Sequence, residues 1–165
     1  MKTLVEDLTI CEEWDLSVDL KMSNQSTTEW KKVFSLQPVN RTTNLTAGSS
    51  IVAVWVWPNK LDLKLLITFD IDSKEIFTYN FTNAVNAGNW INLQISQVNE
   101  KLEIKVDYRL VHSRTNSLSK KWTNVKLITE NLYATENVST IVQYRKLEIG
   151  TCKPKGMKRA LPENP

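Results

Sequence analysis

Asp70, Asp72 and Glu75, in the run Phe69-Asp70-Ile71-Asp72-Ser73-Lys74-Glu75, are the carboxylates whose spacing invites a chemical reading. Asp70 and Asp72 alternate, so they share one face if the segment is a strand. Glycoside hydrolysis asks for two facing carboxyls, about 5 to 5.5 Å apart for retention or about 6.5 to 9.5 Å for inversion. The same stretch reads better as a chain reversal, because Asp and Ser are turn formers and alternating apolar runs stand on both sides. Glu12 and Glu13 are adjacent and would point to opposite faces of a strand. A Ser-His-Asp nucleophile needs a histidine, and the chain has one, His112. It closes the alternating run Leu102, Ile104, Val106, Tyr108, Leu110, His112, which reads as one strand face ending at a rim. Cys11, Cys152 and His112 are too few for a closed zinc site, and four glycines leave little material for phosphate-cradling loops. No catalytic set and no cofactor are expected.

Binding chemistry is then the reading, and one segment suits it. His112-Ser113-Arg114-Thr115-Asn116-Ser117-Leu118-Ser119-Lys120-Lys121-Trp122 joins cationic groups to an aromatic ring, a combination for an acidic sugar or an acidic protein loop. His112, Arg114, Lys120, Lys121 and Trp122 are the candidate ligand-binding residues. The competing reading is a solvated polar loop with Trp122 tucked into the core. Trp55 and Trp57 lie in the most apolar run and are read as core.

The formal charge of +3 is located in residues 153–165, where Lys153, Lys155, Lys158 and Arg159 outnumber Glu163. Residues 1–152 therefore sum to zero, and the excess sits on a segment with three of the five prolines, read as a flexible tail. A nucleic-acid partner, which needs a basic stripe on a folded surface, is not expected. No run of 18 apolar residues suggests a spanning helix, and residues 1–10 lack the apolar stretch of a secretory leader, which is expected to have been removed. Five acceptor sequons begin at Asn24, Asn40, Asn44, Asn80 and Asn137, against about two or three expected by chance. Cys11 and Cys152 stand at opposite ends of the patterned region and suggest a disulfide clasp rather than two buried thiols. Closing so long a loop stabilises by about 4 to 5 kcal/mol in the chain-entropy model. Sequons and clasp together point to a secreted, extracellular glycoprotein.

The elements that must position these residues are strands. Trp14, Leu16, Val18, Leu20 and Met22 alternate with polar residues, the period of a strand with one buried face. Leu61 to Asp72 and Ile76 to Phe81 repeat the pattern as a hairpin, and further strands are read at 32–36, 51–57, 91–98, 102–110, 125–129 and 141–149. Asn99-Glu100-Lys101 separates two of them at hairpin spacing. Nine or more short antiparallel strands within 165 residues predict an all-β, two-sheet jelly-roll sandwich as a single domain over residues 1–152.

Four segments resemble the concanavalin A-like lectin and glucanase superfamily, with its laminin-G-like and pentraxin-like branches. They are Trp14 to Lys21, Ile51 to Pro58, Gly88 to Gln97 with Leu102 to Asp107, and Asn124 to Leu127 with Tyr144 to Ile149. The resemblance spans about residues 14 to 150 and implies that the first and last strands pair antiparallel, setting Cys11 beside Cys152. It also raises calcium, but no acidic loop cluster offers the six to eight oxygens that calcium takes. The galectin constellation of His, Asn, Arg, Trp and Glu is not found. The function expected is a secreted, glycosylated recognition module for carbohydrate or an extracellular protein. A structural subunit that oligomerises through the sandwich is the alternative, and a glycoside hydrolase ranks third.

Overall fold

A computed structural model describes residues 2–22, 31–39, 50–56, 63–70, 75–81, 88–117, 120–129, 142–150, 152 and 158–160. Among the described residues there are twelve strands: β1 (Lys2–Ile10), β2 (Trp14–Met22), β3 (Lys31–Pro38), β4 (Val52–Val56), β5 (Leu63–Asp70), β6 (Glu75–Phe81), β7 (Trp90–Val98), β8 (Lys101–Val106), β9 (Arg109–Thr115), β10 (Trp122–Thr129), β11 (Val142–Gly150) and β12 (Lys158–Ala160). They form two six-stranded antiparallel sheets, the first ordered β1-β10-β3-β4-β5-β6 and the second β12-β11-β2-β7-β8-β9. No helix occurs among the described residues.

Alternation builds both sheets. In β7, Ile91, Leu93 and Ile95 are buried while Trp90, Asn92, Gln94 and Ser96 between them are half-buried. β2 does the same with Trp14, Leu16, Val18 and Leu20 inward. These side chains meet Phe34, Leu36, Val52, Val54, Val125 and Leu127 of the first sheet in one apolar cluster, the filling of a sandwich. Ala53 is 2% exposed between Val52 and Val54, so β4 is covered on both faces, as its unbroken apolar run implies.

β2 pairs with β11 antiparallel, Leu16 opposite Ile149, and this brings the chain ends together. Cys11 lies between β1 of the first sheet and β2 of the second, Cys152 follows β11, and the two are bonded with a Cα separation of 5.1 Å. The clasp thus ties the corner where the chain leaves one sheet for the other.

Three strands depart from the sequence reading, each for a physical reason. β1 was hidden because its pairing with β10 shifts register three times and Asp7 takes φ 57°, so its buried Val5, Leu8 and Ile10 do not keep a period of two. The single strand expected over 102–110 is two. Asp107 and Tyr108, at φ 48° and 65°, make a two-residue turn of the I′ kind between β8 and β9. Leu110 accordingly pairs with Lys105, and a bulge is needed before His112 meets Ile104, so His112 does not continue the face of Val106 on one strand. The 153–165 segment, read as a flexible tail, contributes β12 at the edge beside β11.

The structure generates two expectations for stability. Replacing both Cys11 and Cys152 by Ala should lower the unfolding free energy in urea by up to about 4 to 5 kcal/mol. Leu93→Ala, at the centre of the cluster, should cost about 2 to 5 kcal/mol by the same measurement. An unchanged midpoint in either would contradict the assigned role.

Candidate functional site

The register of the second sheet aligns the polar positions of four strands into rows on its outer face. Glu148, Ser17, Gln94 and Lys105 form one row across β11, β2, β7 and β8. Gly150, Asp15, Ser96 and Glu103 form the next. On the other side lie Arg145, Asp19 and Asn92, then Gln143, Lys21 and Trp90. A bulge between Arg145 and Glu148, with Lys146 at φ 50°, keeps both residues on this face while Leu147 turns into the core.

Asp15, Ser17, Gln94, Ser96 and Lys105, with Leu16 and Ile95 between them, line a cavity of about 140 Å³ on this face. Gly150 is part of its construction. A Cβ there would overlap the Asp15 carboxylate, so the missing side chain lets Asp15 lie across β11. Beside the cavity, Glu103 bonds Lys101 at 2.7 Å and approaches Lys105 at 3.6 Å. The Lys101 contact, joined by the nearby Lys105 charge, holds the Glu103 carboxyl below its ordinary value. This half-buried carboxylate is therefore ionised at neutral pH, and the small stabilisation it contributes is lost as pH falls through its lowered value.

One end of the face is fixed by a buried carboxylate. The Asp19 side chain, 12% exposed, accepts a bond from Asn92 Nδ2 at 2.9 Å and from Arg145 Nε at 3.2 Å, with Lys146 Nζ at 3.8 Å. Arg145 in turn lies 4.1 Å from the centre of the Trp90 ring, and Lys21 lies 5.8 Å from it. A carboxylate removed from water needs such partners, and the same contacts orient the guanidinium over the indole. Asp107 locks the neighbouring turn: its Oδ1 accepts the Asn92 N–H at 2.8 Å, and its own N–H donates to Asn92 O at 2.8 Å. The result is a pre-ordered surface of alternating donors and acceptors, chemistry matched to hydroxyl groups that both donate and accept.

The residues singled out in the sequence stand elsewhere. His112 is half-buried and Arg114 exposed on β9, opposite Ile104 and Leu102. Lys120 and Lys121 precede β10 of the other sheet, which Trp122 opens, so the segment leads from one sheet to the other. Trp122 packs against the core opposite Ile10, with Lys120 Nζ 4.8 Å from its ring centre. It is an anchor there. Trp55 is half-buried, its ring 4.8 Å from the ammonium of the buried Lys32. Trp57, Asp72, Asn24, Asn40, Asn44 and Asn137 lie outside the described residues. Asp70 and Glu75 are register partners at the end of the β5–β6 hairpin, and Asn80 pairs with Lys64 within it. Among the described residues no group of three or more His, Cys, Asp or Glu is placed to hold a metal.

No family model matches the chain, and no curated protein matches its sequence. Solved structures do match its fold. The binding domain of botulinum neurotoxin serotype D is 11% identical with a TM-score of 0.56 over 87% of this chain and 39% of its own. Alginate lyase A1-II′, of polysaccharide lyase family 7, is 12% identical with a TM-score of 0.56, covering 87% of this chain and 64% of that one. The endo-β-1,4-glucuronan lyase of the fungus Trichoderma reesei is 14% identical, TM-score 0.53, covering 90% and 76%. The chain thus spans about two fifths of the toxin domain and under two thirds of the alginate lyase. The fold is an all-β, two-sheet antiparallel jelly-roll sandwich, and identities this low speak for the fold alone.

Asp19→Ala should release Arg145 from Trp90 and leave Asn92 short of an acceptor, costing about 1 to 3 kcal/mol in urea unfolding. The Trp90 fluorescence should shift at the same time. A variant with both observables unchanged would show that Asp19 does not organise this face.

Proposed function

We propose that this chain is an extracellular recognition module that binds a glycan on the outer face of its second sheet and performs no reaction on it. The observation that carries the reading is the cavity of about 140 Å³ lined by Asp15, Ser17, Gln94, Ser96 and Lys105 within the ordered polar rows. Sugar hydroxyls bond best to amides, carboxylates and hydroxyls held in place, and three hydrogen-bonded strands hold these. Across the face Lys21, Lys101, Lys105, Arg145 and Lys146 stand against Asp15, Asp19, Glu103 and Glu148, so the surface is close to neutral. That balance favours an uncharged glycan. The fold neighbours support the class of partner, since their names include polysaccharide lyases and a receptor-binding domain.

The extracellular setting rests on the Cys11–Cys152 bond and the five sequons, which suit an oxidising compartment. No helix among the described residues is long and apolar enough to cross a membrane.

The test is a glycan array probed with the disulfide-bonded, glycosylated protein, in calcium and in chelator. The expected result is binding of neutral glycans in both conditions, weakened at least about tenfold by Gln94→Ala with Lys105→Ala and without loss of melting temperature. Binding only in calcium would reject the metal-free site. Turnover of any bound polysaccharide would reject a purely binding role, and a stable oligomer with no glycan affinity would favour an assembly subunit.

A further inference from the structure

β9 is the outer strand of the second sheet, and among the described residues it pairs on one side only, with β8. All its side chains except His112 are exposed, so it overhangs the sandwich. An edge of this kind is a template for another strand unless something blunts it. Proline is absent from β9, its bulge is confined to the stretch between Leu110 and His112 and leaves His112 to Thr115 in regular register, and Leu110 and Val111 stand 54% and 39% exposed beside Tyr108 at 74%. The backbone is oriented for pairing. Asn116 donates its N–H to Glu100 O at 2.6 Å, which by alternation turns the amides of Asn116 and Arg114 toward β8 and those of Ser113 and Thr115 to the open edge.

Charge supplies the chemistry of the occupant. From Tyr108 to Thr129 the sequence has Arg109, Arg114, Lys120, Lys121 and Lys126 and not one carboxylate. Residues 1–152 hold 17 residues of each sign, so outside this run the sequence has 12 cations and 17 carboxylates. Lys126 faces Glu6 at 3.4 Å; Arg109 and Arg114 lie along the edge, and Lys120 and Lys121 stand at the corner that follows it. A second copy would bring these arginines against their own kind. An acidic polysaccharide would meet the cations but make no use of Leu110, Val111 or the backbone edge.

We propose that β9 is the docking edge for an extended acidic segment of a partner protein, which adds as a seventh strand. Its main chain bonds the outward amides and carbonyls of β9, its apolar residues contact Leu110 and Val111, and its carboxylates meet Arg109 and Arg114. This edge borders the glycan face, Leu110 being the register partner of Lys105, but the strand addition uses the open backbone of β9 and does not depend on the glycan reading.

A fluorescent peptide of about nine residues alternating Glu and Val, matching a long strand, is the probe. Anisotropy should show binding that weakens with added salt and falls at least about tenfold when alternate peptide amides are N-methylated. Ser113→Pro, which removes one outward N–H and none of the β8 bonds, should weaken it similarly, as should Arg109→Glu with Arg114→Glu. Should Ser113→Pro not fold, the N-methylated peptide still decides. Absence of binding would overturn the proposal. So would equal affinity of parent and N-methylated peptides with competition by dextran sulfate, the mark of a charge-only site, and so would a dimer in light scattering that the arginine reversals strengthen.

Discussion

Antiparallel pairing with a strict side-chain period of two governs this molecule. When Leu16 faces Ile95 in the core, Ser17 must face Gln94 in the solvent layer, and the same rule then fixes Lys105 and Glu148. A slip of one residue would exchange the layers, driving Asp19 and Lys21 inward and Leu16 and Leu93 out. The cost of that exchange is borne by several fully buried Leu, Ile and Val side chains, each worth about 1.5 to 3 kcal/mol of burial. The hydrophobic layer therefore specifies the polar one, although it never touches a ligand.

Chain closure reinforces the register. β2 and β11 are neighbours separated by more than a hundred residues, and the Cys11–Cys152 bond holds the corner from which their pairing runs. Where the register does break, the breaks have uses. The bulge before Glu148 keeps Arg145 on the outer face beside Trp90, and the bulge in β9 sets Val111 out of step at an open edge. Glycine has a clear purpose at position 150, where a side chain would evict Asp15.

The layers were legible in the sequence because they depend on local alternation, plain in Trp14–Met22 and Trp90–Val98. The hairpin at Asn99-Glu100 and the central character of β4 were legible for the same reason. β1 was not, since its bulges scramble the period, and β8 and β9 merged because Asp107-Tyr108 lacks the glycine that usually marks a two-residue turn. The rows of the outer face escaped notice for a different reason. Asp15, Ser17, Gln94 and Ser96 were visible as polar positions, but their adjacency comes from pairing across some eighty residues of chain, which composition and spacing do not encode. Trp122 reads in the sequence as an aromatic beside lysines, and only the register shows that it stands opposite Ile10, partly buried against the core.

Cross-strand nuclear Overhauser contacts between backbone protons of the disulfide-bonded protein test the central claim most directly. The register described here requires contacts linking Ser17 with Gln94 and Gln94 with Lys105. Contacts linking Ser17 with Leu93 instead would place the apolar residues of β7 on the outer face and contradict both the sandwich and its polar surface.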